Sequence, residues 1–249
     1  MKRLNGKVAI VTGASKGIGA AIAKAFALEG ASVVVNYASS KQDAEKVVKE
    51  IISRDGKAIA VQGDVGKAAE VKRLFAEAKK AFGALDVLVN NAGVYSSSPL
   101  AEVTEEEFHR QFNVNVLGTL LSTKEALPLF GDKGGSVINV SSVVSESPVP
   151  GFAIYAGTKG AIDTITVGLS RELAAKKIRV NAIAPGGVET EGTHTLGMIG
   201  GDFEKQIVAS TPLGRIGQPE DIAKVAVFLA SEESAWLTGE RISASGGFR

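Results

Sequence analysis

Short β-branched apolar runs alternate along this chain with stretches of helical periodicity. Short β-branched runs at Lys7–Thr12, Ser32–Tyr37, Lys57–Gln62, Asp86–Asn90, Gly135–Ser141 and Ile178–Ala184 read as strands. Between them lie stretches with helical spacing: Ala20–Glu29, Lys41–Arg54, Lys67–Phe82, a long one from Thr104 toward Phe130, and Ala153–Leu169. Pro219 opens a last helix to Leu229, and Arg241–Ala244 closes the series as a short strand. Strands and helices alternating at this rhythm imply an α/β fold, a doubly wound parallel sheet of about seven strands with helices on both faces. A ligand of such a sheet lies beyond the C-terminal strand ends, at the switch point.

Local chemistry refines this outline. The first strand runs into Gly13-Ala14-Ser15-Lys16-Gly17-Ile18-Gly19 and then a helix. Glycines let backbone come close to a phosphate, and a helix N-terminus offers free N–H groups and a positive dipole end. The fourth strand exits through Asn91-Ala92-Gly93, small residues that permit close approach of a ligand to backbone. Thr104 and Glu107 form a capping box, so the acidic run there starts a helix; Asn113 and Asn115 follow among apolar neighbours. The helix from Ala153 is apolar or small on nearly every side, which predicts one side on the sheet and another on a second subunit, in a homotetramer or homodimer. Glu191–Leu213, with scattered Met198, Ile199 and Phe203, is long and weakly patterned, a candidate lid at about 191–213.

Composition removes several classes. The 249 residues carry 28 basic and 27 acidic side chains, which gives no electrostatic case for nucleic acid. They form one domain, 1–249, at a length common for a single α/β domain. With no cysteine, disulfides and thiol catalysis are excluded. No apolar run approaches the roughly 18 residues of a membrane span, and no signal-peptide pattern precedes the first strand, so a soluble cytoplasmic protein is expected. His109 and His194 are isolated surface residues, and no metal-ligand motif occurs.

Candidate chemistry concentrates after the fifth strand, where Ser142 precedes Tyr155 by thirteen residues and Lys159 follows by four. Tyr155 and Lys159 share a helix face. A neighbouring ammonium favours phenolate, and lowering a phenol from about 10 to about 7 takes roughly 4 kcal/mol, which suits proton exchange near neutral pH. At the end of the second strand, where an NAD site usually has Asp or Glu, stands Asn36. A neutral residue there, with Lys16 in the glycine turn and Ser39 and Ser40 just beyond, leaves room and donors for the 2′-phosphate of NADP.

The glycine motif, Asn90-Asn91-Ala92-Gly93, Asn115, Ser142, Tyr155, Lys159 and Pro185-Gly186 together resemble the short-chain dehydrogenase/reductase family in its short branch, across essentially the whole chain. The resemblance implies a Rossmann fold and metal-free hydride transfer with NADP, NAD being possible, between a small-molecule carbonyl and a secondary alcohol. It implies Tyr155 as acid/base, Ser142 bonding the substrate oxygen, Lys159 on the nicotinamide ribose, and Asn115 holding a relay water. Gly13, Ser15, Lys16 and Ile18 would surround the phosphates and adenosine ribose, with Asn36 and Ser39 at the 2′ position. Asp64 and Val65 would meet the adenine, and Asn91, Ala92 and Gly93 the cofactor's middle. Pro185, Gly186, Val188 and Thr190 would sit by the nicotinamide. The nearest branch is similar both to 3-oxoacyl-[acyl-carrier-protein] reductases and to glucose 1-dehydrogenase-like enzymes; a non-catalytic dinucleotide sensor is the alternative of another class. Ser245 stands before Gly246-Gly247 where many relatives have Asp.

Overall fold

The computed structural model describes residues 2–195, 197 and 199–248; Met1, Leu196, Met198 and Arg249 lie outside the described residues, and with Met198 one of the apolar positions of the expected lid. Seven parallel strands form one sheet: β1 (Val8–Val11), β2 (Ser32–Tyr37), β3 (Lys57–Gln62), β4 (Val87–Asn90), β5 (Gly135–Val140), β6 (Ile178–Pro185) and β7 (Arg241–Ala244). Their spatial order is β3-β2-β1-β4-β5-β6-β7, so the direction of winding reverses between β1 and β4. That reversal parts the crossovers above the two strand ends and opens a crevice there.

Strand alternation divides the core. Ala9, Val11, Val33 and Val35 face helices α1 (Gly17–Leu28), α2 (Lys41–Ile52) and α9 (Pro219–Ala230), whose Ile22, Phe26 and Ile222 are buried against them. Ile10 and Val34 face the other way, onto α3 (Ala68–Phe82), α5 (Gly118–Ala126) and α6 (Ala153–Leu173). Both faces of the central strands are dry, which is why they read as continuous apolar runs.

Two regions depart from the expected outline. The helix predicted from Thr104 toward Phe130 is divided into α4 (Glu105–Phe112), a single π turn at Asn113–Leu117, α5 and a short 3-10 turn at Leu127–Leu129. The predicted lid contains two short helices, α7 (Glu191–Thr195) and α8 (Asp202–Ser210), neither with a fully buried residue. Among the described residues no helix is long and apolar enough to cross a membrane.

Candidate active site

A cavity of about 720 Å³ occupies the switch point, walled by the glycine turn, the exits of β2, β3 and β4, the Ser142 turn, the start of α6 and the segment after β6. Its floor suits a phosphate. Helix α1 begins after extended Lys16 with no side-chain cap and no acidic residue in its first turn, so its N–H groups and positive end serve whatever lies in the cavity. Gly13 has φ +60°, and a Cβ there would come within 2.8 Å of the Ala92 Cα. At Gly19 a Cβ would stand 2.6 Å from the Gly13 carbonyl oxygen, so neither glycine admits a side chain. These residues fit a dinucleotide.

The turn is held by polar braces. The Asn91 amide donates to the carbonyls of Thr12 and Gly13 at 2.9 and 3.0 Å. The Thr12 hydroxyl accepts the N–H groups of Asn91 and Ala92, both at 3.0 Å. Asn91 therefore spends its amide on the glycine turn, while Ala92 and Gly93 form the wall beside it.

Asn36 lines the cavity but is tied closely to the protein. Its side chain is 1% exposed; its amide donates to the carbonyls of Gly63 (2.9 Å) and Val61 (3.3 Å), and its oxygen accepts the Gly13 N–H at 3.1 Å. It is a strut between β3 and the glycine turn, with no donor left for a 2′-phosphate. Ala38, Ser39, Ser40 and Lys16 line the cavity beside it. The Lys16 ammonium stands 3.5 Å from Asp43, both side chains about half exposed, a pairing weak enough to exchange for a stronger anion. Ser15 and Ile18 line the same end; Asp64 accepts the Gly66 N–H at 3.0 Å to shape its turn, and Val65 is buried beneath.

The other end holds the reactive set. Ser142 leaves β5 in extended conformation, its hydroxyl accepting the Val144 N–H at 3.3 Å. Tyr155 lines the cavity together with Ser142. One turn along α6, Lys159 is 5% exposed; its Nζ donates to the Val140 carbonyl at 2.7 Å and lies 5.5 Å from the Tyr155 ring centroid. Burial pulls its pKa down to about 8, with the Asp163 carboxylate opposing the drop.

The expected depression of the Tyr155 pKa is not what this arrangement produces. Burial raises it above the ordinary phenol value, the nearby Tyr95 adds to the rise, and only the neighbouring Ser142 hydroxyl pulls the other way. Tyr155 is thus a neutral phenol near pH 7, the form that can donate a proton.

Asn115 sits in the π turn, 2% exposed, accepting the Val94 N–H and donating to the Val94 carbonyl, both at 2.8 Å, and to the Thr158 hydroxyl at 3.1 Å. Both amide hydrogens are spent joining the β4 exit to α6, so it braces the site, and any water it held would rest on remaining acceptor capacity. Pro185, at the end of β6, and Gly186, Val188 and Thr190 after it line the cavity. Ser245 closes on Gly186, where a Cβ would meet its Cα at 3.0 Å, and its hydroxyl donates to the Phe248 carbonyl at 2.7 Å, which fixes the C-terminal turn without an Asp.

Sequence reasoning missed the apolar lining. Tyr95, Phe152, Phe203, Ile207 and Phe248 surround the reactive end, and Tyr95 packs on Tyr155 at 5.5 Å between ring centroids. Only Phe203 and, loosely, the helix carrying Ile207 fell in a segment marked for substrate contact. The two histidines lie exposed beside Glu105 and Glu189, away from the reactive set.

Comparison with known proteins points the same way. A family model described as enoyl-(acyl carrier protein) reductase matches residues 13–249. The chain is 58% identical, over all of both chains, to an uncharacterized oxidoreductase of Methylorubrum extorquens. It is 42% identical to a versicolorin reductase of Emericella nidulans, covering 98% of this chain and 96% of that one. Among solved structures, a short-chain dehydrogenase/reductase from Serratia marcescens superposes with a TM-score of 0.93 at 37% identity over 99% of each chain.

Proposed function

Because the chain belongs to the short-chain dehydrogenase/reductase family and is an NAD(P)-dependent oxidoreductase, we propose that it reduces the ketone of an apolar, aromatic substrate to a secondary alcohol with NADPH. The observation that carries this is the meeting of Ser142, Tyr155 and buried Lys159 at one end of a cavity whose other end is a phosphate-binding turn. The nicotinamide, when bound, supplies the hydride. Tyr155 gives its phenolic proton to the carbonyl oxygen, and the Ser142 hydroxyl donates a hydrogen bond to that same oxygen as charge gathers there. Lys159 stabilises the phenolate left behind and holds the nicotinamide ribose. The aromatic lining from Tyr95, Phe152, Phe203 and Phe248 supports a flat apolar substrate, as do relatives named for versicolorin and tetrahydroxynaphthalene reduction. Residues 191–213 act as the lid over it, and the exposed small residues of α6, Ala153, Gly157 and Gly168, pack against a second copy in a homotetramer or homodimer.

The cofactor assignment rests on Lys16, Ser39 and Ser40. With an aryl ketone, kcat/KM is higher with NADPH than with NADH, and Lys16→Gln lowers the NADPH value about tenfold or more, the effect of losing a hydrogen bond to a charged group, ~1.5–3 kcal/mol. Asn36→Asp, which sets a carboxylate against the Gly63 and Val61 carbonyls, lowers Tm without reversing the preference. A preference for NADH in the wild type, or its appearance in Asn36→Asp, contradicts this reading.

A further inference from the structure

Tyr155, Lys159 and Asp163 stand four residues apart on α6, so all three occupy one helix face. Asp163 is only 20% exposed in its side chain; one carboxylate oxygen is bound by Arg241 of β7, and the other is buried with no partner among the described residues. A carboxylate so placed needs a cation. Arg241 supplies one, itself 16% exposed in its side chain.

Every N–H of this guanidinium is directed at an acceptor. Nε donates to Asp163 Oδ2 at 3.0 Å. One terminal nitrogen meets Glu146 Oε2 at 3.1 Å and Ser243 Oγ at 3.0 Å. The other donates to the Ser142 carbonyl at 3.3 Å and to Ser145 Oγ at 3.2 Å. Five donors with five acceptors exhaust what arginine can offer. The acceptors lie on α6, on β7 and on the turn that carries Ser142, so one planar group fixes the serine's backbone relative to the helix bearing Tyr155 and Lys159.

We propose that Arg241, anchored by Asp163, is a positioning residue that sets the Ser142 hydroxyl against Tyr155. The inference rests on the catalytic reading of Ser142 and Tyr155. Among the described residues the Ser142 side chain has no bond to a rigid element; its hydroxyl accepts only the Val144 N–H of its own turn. Its placement is therefore inherited from the backbone, and the backbone is held at its carbonyl by Arg241 and by the Ser145 hydroxyl at 2.9 Å. The Asp163 carboxylate serves the same face a second way, since its charge counters the loss of protonation that burial imposes on Lys159. Lysine cannot replace the arginine, because an ammonium has three donors and no fork to span Asp163 and Ser142 together.

The test is Arg241→Lys, which keeps the charge beside Asp163, with Glu146→Gln as the control because Glu146 is a solvent-exposed partner, 66% exposed in its side chain. Arg241→Lys is expected to lower kcat about tenfold while KM for NADPH and for ketone stay within about twofold, the split left when only transition-state contacts are lost. Amide hydrogen exchange rises in residues 142–147, and Glu146→Gln behaves as wild type in both measurements. Faster exchange with unchanged kcat overturns the positioning role and leaves the catalytic reading of Ser142 and Tyr155 intact. A kcat loss accompanied by matching rises in both KM values and a collapsed Tm overturns it as well, marking Arg241 as structural only. A wild type that turns over no ketone while the exchange difference persists is the failure of the underlying reading instead.

Discussion

Tyr155→Phe abolishes most of the ketone reduction, lowering kcat by about 10²–10⁴-fold, the range for loss of a positioned general acid. The substitution removes one oxygen and leaves the ring, so the packing on Tyr95 and the wall of the cavity persist. NADPH affinity should change little, because the phosphate-binding turn lies at the other end. Burial makes the effect large: the raised pKa keeps the proton on the phenol until a substrate oxygen takes it, and Ser142 alone has no comparable acid to offer. Titration of dinucleotide fluorescence beside steady-state kinetics separates the two quantities. A variant with near wild-type kcat means that Tyr155 is not the acid.

Lys159→Met produces the second large loss, about 10²-fold or more in kcat/KM, by removing a charge that faces the developing phenolate in a desolvated site. Methionine keeps the apolar stem packed but gives up the bond to the Val140 carbonyl. The wild type carries a matching pH signature. Lys159 is an ammonium below its pKa of about 8 and neutral above it, so kcat/KM for reduction falls as pH rises through that value. The Met variant, with nothing there to titrate, lacks that limb. Identical alkaline limbs in the two proteins assign the ionisation to another group.

What the chain discloses before folding is uneven, and the reasons are physical. Short β-branched apolar runs located all seven strands because both faces of the central sheet are dry and little else competes for those residues. The glycine turn and the Ser142, Tyr155 and Lys159 spacing were legible because each is local. The bracing bonds of Asn36 were not legible because its partners, Val61, Gly63 and Gly13, come from other segments, and only pairing of β2 with β3 shows that its amide is consumed. The direction of the Tyr155 pKa was not legible because a helical spacing reveals the neighbouring ammonium but not the burial, which comes only with the folded cavity. The π turn at Asn113–Leu117 was read as part of one continuous helix because it lies inside a longer stretch of helical spacing and carries no Gly or Pro to mark a break. Asp163 could have been found, lying one turn beyond Lys159; Arg241 could not, because its acceptors are brought together only by the sheet.

The central claim is that this site couples consumption of NADPH to formation of an alcohol, and the direct measurement is stoichiometry. A panel of aryl and polycyclic ketones is incubated with enzyme and NADPH, following loss of absorbance at the reduced nicotinamide band and quantifying alcohol by chiral chromatography. The account predicts one alcohol formed per NADPH consumed, in a single stereoisomer, with turnover lost in Tyr155→Phe. Tight NADPH binding without alcohol formation from any ketone in the panel would contradict it.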